Sequence, residues 1–309
     1  MDPISSRLTV AIPGTCGELV QGWLADWDEA VLVSCPIALY SQINVELCAG
    51  PDILGPGASN RYPKLHQAAR LVLTHLGRPD LGAKVSVDSQ LQPGRGMASS
   101  TADVVGVMIG LALALGRSIS ASELARLACR VEPSDSTMFA GLTVLAYRDS
   151  ARFQELGPAP LLPLLMLDTG QAVDTLTFNA QLNLSAARQL APTTKTALTL
   201  LRQGLAGNDI EAIGAAATLS ALSYQSVNYN PLVEQAARWA DQTGAAGLVR
   251  AHSGSVLGLL YPAGADLTKP ERWLSTQFNG MIRPTQLSRG SYLLVDERYP
   301  HMMEVSALL

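Results

Sequence analysis

At 309 residues, 48% of them hydrophobic and 16% charged, the chain suits one large or two smaller domains and is too apolar for a disordered polymer. Its net charge of −4 offers no broad basic face, which argues against a nucleic-acid binder. The longest apolar run, 104–115, is shorter than the ~20 residues of a membrane span, and no basic-then-apolar leader opens the chain, so a cytoplasmic protein is expected.

In chain order, 8–12 reads as a strand closed by Pro13-Gly14, 30–34 as a second and 40–47 as a third, the last with period-2 alternation of Ile43, Val45 and Leu47. Residues 62–76 carry helical spacing ended by Gly77, and 83–87 is a short alternating strand. A loop rich in small residues then opens into a long apolar helix over 98–115, ended by Gly116. Residues 120–130 form a helix that starts with Ser120 and Glu123 as a capping box and breaks at Glu132-Pro133-Ser134-Asp135. Strands at 142–147 and 162–167 follow, then helices at 185–204, 210–222 and 232–243. Strands at 247–251 and 255–260, a helix at 269–277 and strands near 281 and 292–295 complete an α+β pattern. The break at Gly157-Pro158-Ala159-Pro160 is the expected boundary between domains 1–158 and 159–309.

Cys16, Cys35, Cys48 and Cys129 show no CxxC spacing, and His66, His75, His252 and His301 form no ligand cluster, so reduced thiols are expected. Chemistry concentrates instead in three Gly/Ser-rich segments. Pro13-Gly14-Thr15-Cys16-Gly17-Glu18-Leu19-Val20-Gln21-Gly22 follows the first strand. Gln92-Pro93-Gly94-Arg95-Gly96-Met97-Ala98-Ser99-Ser100-Thr101-Ala102-Asp103 opens the long helix, and Ala251-His252-Ser253-Gly254-Ser255-Val256-Leu257-Gly258 joins two late strands. In the second, glycines allow close backbone approach while a helix start supplies free amides and a positive dipole end, an anion site suited to nucleotide phosphates. No GxxxxGK[ST] occurs, and Gly94-x-Gly96-x-x-Ser99 lacks the acidic residue that would make it a dinucleotide fingerprint.

Taken together, the order and spacing of the three segments resemble the GHMP kinase superfamily. The wording Pro-Gly-Thr-Cys-Gly-Glu-Leu-Val-Gln-Gly, Gly-Met-Ala-Ser-Ser-Thr-Ala-Asp and Glu-Pro-Ser-Asp looks closest to the branch that phosphorylates L-threonine for cobalamin synthesis. The resemblance implies an N-terminal domain of ribosomal S5-like mixed sheet with helices and a C-terminal ferredoxin-like domain, with ATP and Mg2+ as cofactors. The implied substrate is a small hydroxy amino acid, L-threonine or its near neighbour homoserine, and the expected assembly is a monomer or homodimer without membrane or nucleic-acid partners. Trp23 follows Gly22 where sugar and mevalonate kinases tend to carry Glu, which favours a small acceptor.

On that resemblance Pro93, Gly94, Arg95, Gly96, Met97, Ala98, Ser99 and Ser100 hold the nucleotide, and Ser100 is the metal-side serine. Asp135 takes or orients the acceptor hydroxyl proton, and Glu132 is the candidate metal carboxylate, with Glu123 as the upstream option. Thr15, Cys16, Gly17, Glu18, Asp168, Asp174, Ser253 and Gly254 are candidates around the acceptor, Glu18 or either aspartate for an ammonium and the motif amides for a carboxylate. Cys16 has no base nearby in sequence and reads as a packing or close-approach residue; His252 reads as an incidental loop histidine. A catalytically silent relative acting as a sensor is the alternative, which the joint retention of Ser100, Glu132 and Asp135 speaks against.

Overall fold

The structure is a computed structural model that describes residues 7–55, 63–150, 152–171, 183–296 and 299–304. Its frame is two very long strands, β1 (Arg7–Leu24) and β2 (Glu29–Ala49), paired antiparallel along nearly their whole length. The sequence reading ends the first strand at Pro13-Gly14 and divides the second in two; both instead run on through irregular register between Pro13 and Gly14, Thr15 and Glu18, and Glu18 and Val20. Proline and glycine fall at these bulges, where a missing ladder bond is tolerated, so the breaker residues bend the strands without ending them.

After β2 come β3 (Ile53–Leu54), α1 (Pro63–His75), β4 (Leu81–Ser89), α2 (Ser99–Ala114), α3 (Ala121–Cys129), β5 (Leu142–Leu145), β6 (Phe153–Gly157) and β7 (Pro163–Asp168). Helices α4 (Leu184–Gln189), α5 (Ala191–Gly207), α6 (Ile210–Ser223) and α7 (Pro231–Thr243) precede β8 (Gly247–Arg250), β9 (Val256–Leu260), α8 (Thr268–Gln277), β10 (Met281–Gln286), β11 (Leu293–Asp296) and β12 (Tyr299–Glu304). The single helix expected over 185–204 is therefore two, because Pro192 in the first turn of α5 lacks the N–H that would continue a helix from Gln189. The short strands β3, β6 and β12 carry no alternating pattern and escape the sequence reading. The Ser120–Glu123 capping box on α3 is present as expected, with both reciprocal bonds.

One sheet runs in the order β10-β7-β9-β8-β1-β2-β4-β3, with β11 and β12 added beside β1 and β5 and β6 beside β2. The expected boundary falls in the connection between β6 and β7, yet the sheet crosses it where Glu18 of β1 pairs with Arg250 of β8. One core cluster draws on both halves, including Val10, Ile43, Met108, Met166 and Val249, while a second, with Leu165, Trp239 and Leu274, is built wholly from later residues. Apolar on nearly every face, α2 is the central helix, packed on β1, β2 and α1. This is the mixed α+β architecture expected. Among the described residues no helix is long and apolar enough to cross a membrane.

Helix α6 reaches β8 through two glycines: a Cβ on Gly214 would lie 2.0 Å from the Ala246 carbonyl oxygen. In an open helix, Gly→Ala stabilises by about 1 kcal/mol. Here Gly214→Ala is expected to destabilise by about 2 kcal/mol through overpacking, lowering the melting temperature by several degrees. Thermal unfolding followed by circular dichroism reads the sign directly; an unchanged or raised midpoint contradicts the close approach.

Candidate active site

The N-terminus of α2 is built as an open anion site. Its N-cap residue is Ala98, in left-handed backbone at φ 53°, and no side chain caps the first turn. Ser99 and Ser100 are thus helix residues whose hydroxyls are not consumed as caps, and the first-turn amides stay available at the positive end of the dipole. Left-handed backbone recurs at every second residue, Gly94 (φ 72°), Gly96 (83°) and Ala98 (53°), an alternation that turns amides toward one side of the loop.

Three consecutive carbonyls of the loop, those of Arg95, Gly96 and Met97, face the other way and are occupied. Thr15 N donates to Met97 O at 3.0 Å, Gly17 N to Gly96 O at 3.2 Å, and the Thr15 hydroxyl also to Gly96 O. From the third segment, Ser255 N and Val256 N both donate to Arg95 O, at 2.9 and 3.0 Å. Close approach requires glycine here: a Cβ on Gly254 would lie 2.4 Å from the Gly96 Cα. The three segments recognised separately in the sequence are one interlocked structure.

Ser100 and Thr101 are adjacent on α2 and engage different carboxylates. The Ser100 hydroxyl donates to Glu132, whose other oxygen accepts from Lys64 Nζ at 2.6 Å; Lys64 also donates to Ser100 Oγ at 3.2 Å. Glu132 is buried and Lys64 half-exposed, so this trio is a partly shielded charge pair with a hydroxyl between. Glu123, the other option, is exposed and spent on the capping box, with His75 at 3.7 Å. Hard oxygen donors from Ser100 and Glu132 beside free amides fit Mg2+ carried on a polyphosphate. Among the described residues no cluster of three His, Cys, Asp or Glu suits a metal held by the protein alone.

Thr101 Oγ1 and Ser34 Oγ donate to the two oxygens of Asp135, at 3.5 and 3.2 Å. Ser34 is fixed in turn by the Ser136 amide, which donates to its hydroxyl at 3.0 Å. Burial first, then the neighbouring charge of Glu18, lifts the Asp135 carboxyl to about 7 against the hydroxyl bonds that lower it. Such a value suits proton transfer near neutrality.

Glu18 is buried and accepts on Oε2 from both the His252 amide (3.0 Å) and His252 Nδ1 (2.7 Å). His252 is fully buried and engaged, not incidental. Asp168, a candidate for an acceptor ammonium, is instead committed to the loop: it accepts from Ser255 Oγ at 3.1 Å and the Gly170 amide at 2.9 Å, with Arg95 at 3.6 Å. Asp174 lies outside the described residues. Ser253, half-buried, sits beside Gly254 in the turn between β8 and β9. Cys16 is fully buried, its thiol pushed well up by burial, so it packs and does not attack. Lys64 and Ser34 join the site without having been marked in the sequence, and Thr101, quoted there within the second segment, gains a role; of the first two only Lys64, one of the few lysines of an arginine-rich chain, carries any signal there. A cavity of about 740 Å³ between β6 and helices α5 and α6 shares no lining residue with the loop.

Residues 63–141 match the family model for the GHMP kinases N terminal domain. Over 251 residues the chain is 32% identical to an L-threonine kinase of Salmonella typhimurium, covering 80% of this chain and 81% of that one. An L-threonine kinase of Citrobacter freundii is 29% identical over 86% of this chain and 90% of its own. In fold, the chain is similar to the crystal structure of homoserine kinase from Cytophaga hutchinsonii, with a TM-score of 0.72 at 16% identity over 95% of this chain and 99% of that chain.

Burial also raises the Cys35 thiol, and that of Cys129 more modestly. In native protein at pH 8, Ellman's reagent is expected to label Cys48 first and to spare Cys16 and Cys35 until denaturant is added. Peptide mapping of the labelled thiols checks this; rapid native labelling of Cys16 contradicts its packing beneath the loop.

Proposed function

Because the chain belongs to the GHMP kinase family, we propose that it transfers the γ-phosphoryl group of ATP to the side-chain hydroxyl of L-threonine, giving O-phospho-L-threonine for the cobalamin linker. Homoserine is the second acceptor to test. The observation that carries this reading is the adjacency of Ser100 and Thr101: one contacts the Glu132–Lys64 pair and the next contacts Asp135. A phosphate side and an acceptor side thus lie one residue apart on α2, the spacing that direct transfer needs.

In this reading the amides over Gly94–Ser100 and the α2 dipole bind the polyphosphate, and Lys64 adds a cation beside it. Ser100 and Glu132 would hold Mg2+. When bound, the ion supplies neutralisation of phosphate charge as the bond to the leaving oxygen lengthens. Asp135 orients the acceptor hydroxyl and accepts its proton late, since a loose transition state does not require prior deprotonation. Ser34 and Thr101 hold the carboxylate in place for that step.

A coupled ADP-release assay across threonine, serine, homoserine and small sugars tests the proposal, and turnover confined to sugars or isoprenoid alcohols sinks the threonine assignment. Asp135→Asn is expected to lower kcat by about 10²- to 10⁴-fold without abolishing it. Because the carboxylate must be ionised to accept a proton and its value lies at about 7, kcat/KM should fall as pH drops below neutrality. A flat profile between pH 5.5 and 8 contradicts that role. Glu132→Gln should cost more than about tenfold in activity, whereas Glu123→Gln should leave activity intact and lose only cap stability.

A further inference from the structure

Glu18 is a buried carboxylate without a cation. Both of its partners on Oε2 are N–H groups of His252, and burial together with nearby Arg250 holds that imidazole well below its usual range, so the ring is neutral. Its Nδ1–H therefore points at Glu18. Arg250, opposite Glu18 across β1 and β8, lowers the Glu18 carboxyl by its charge but makes no contact with it: its guanidinium donates to Gln225 Oε1 at 2.8 Å, to the carbonyl oxygens of Asn228 and Ala221, and stands over the Tyr224 ring. Among the described residues no lysine or arginine forms an ion pair with Glu18. The hydrogen bonds of Glu18 fall on Oε2, and the same cluster holds three buried polar atoms without a partner, the hydroxyl of Tyr224, His252 Nε2 and Arg250 Nε, with the Tyr224 ring edge-on to His252 at 4.4 Å between centroids.

This carboxylate adjoins the proposed acceptor side. Glu18 pairs with Ser34 across β1 and β2, between two register shifts of β1. Ser34 is the residue whose hydroxyl holds Asp135. Two carboxylates thus stand one strand apart, neither in an ion pair with a lysine or arginine among the described residues, and the charge of Glu18 is felt at Asp135. Burying uncompensated anions is costly, and the cost falls when a cation arrives.

We propose that Glu18, oriented by His252, is the counter-charge for an ammonium group on the acceptor, so that the enzyme selects hydroxylated amines and amino acids over amine-free alcohols. The proposal rests on the kinase reading above and deepens it. Glu18 touches the substrate; His252 is a positioning residue, holding Glu18 Oε2 through its amide and Nδ1. A hexose or isoprenoid alcohol brings no cation and leaves the carboxylate uncompensated, which is the physical ground for its rejection.

Steady-state constants of the full chain with L-threonine, homoserine, 1-amino-2-propanol and 3-hydroxybutyrate test it, because the last keeps the hydroxyl and carboxylate but lacks the amine. The amines should be preferred to 3-hydroxybutyrate by more than about 10²-fold in kcat/KM. Glu18→Gln should raise KM for the amines more than about tenfold, leave KM for ATP within about twofold, and collapse the preference. His252→Asn should move the same constants less far in the same direction. Equal use of 3-hydroxybutyrate by the unaltered protein overturns the proposal, and that comparison stands even where a variant does not fold. A Glu18→Gln loss spread evenly over ATP and all acceptors marks a merely structural residue and also overturns it. Turnover of the other amines without turnover of threonine sinks the threonine assignment while upholding the ammonium site. Turnover of amine-free alcohols alone upholds the kinase and sinks the ammonium site, and turnover of nothing sinks both.

Discussion

The capture of three consecutive carbonyls, those of Arg95, Gly96 and Met97, is the constraint on which the site depends. Donors from residues 15–17 and 255–256 hold them on one side of the loop. With the carbonyls occupied, the loop's amides are left to the opposite side, where the uncapped end of α2 adds its dipole. The strain this demands is visible at Ala98, a non-glycine residue in left-handed backbone at a cost of about 1–2 kcal/mol. Such a conformation persists only where the surroundings over-determine it, and here they come from two different strands.

Charge is distributed unevenly around this loop. Glu132 has a lysine and a hydroxyl as partners and is close to neutralised. Asp168 has Arg95 and serves the loop from beneath. Asp135 and Glu18 have only hydroxyls and neutral N–H groups, and burial holds both carboxyls at about 7. The protein thus satisfies its own charges on the phosphate side and leaves a deficit of positive charge on the other.

Much of this was legible in the sequence, and the reason for each gap is physical. The loop, its glycines and the Ser120–Glu123 cap are local signals, complete within a few residues, and they read correctly as structure. The long strand β1 is not legible as one element because Pro13 and Gly14 are breakers in isolation, and only the facing strand shows that they sit at a bulge. The pairs Lys64–Glu132, Ser34–Asp135 and Glu18–His252 left no trace, since their partners lie 68, 101 and 234 residues apart and neither period 2 nor period 3.6 links them. His252 in particular looked unattached because its partner sits on the first strand of the chain.

That separation gives the phosphate loop a peculiar dependence on folding order. The segment matching the family model, 63–141, contains the loop but none of the donors that shape its carbonyls, which come from the two ends of the described chain. Closing contacts over such distances incurs loop entropy before any reward is collected, and topologies of that kind form slowly and late. A nascent or truncated chain that displays the recognisable signature would therefore present an unformed loop. The signature marks where the nucleotide site lies, but its shape depends on residues far outside the signature.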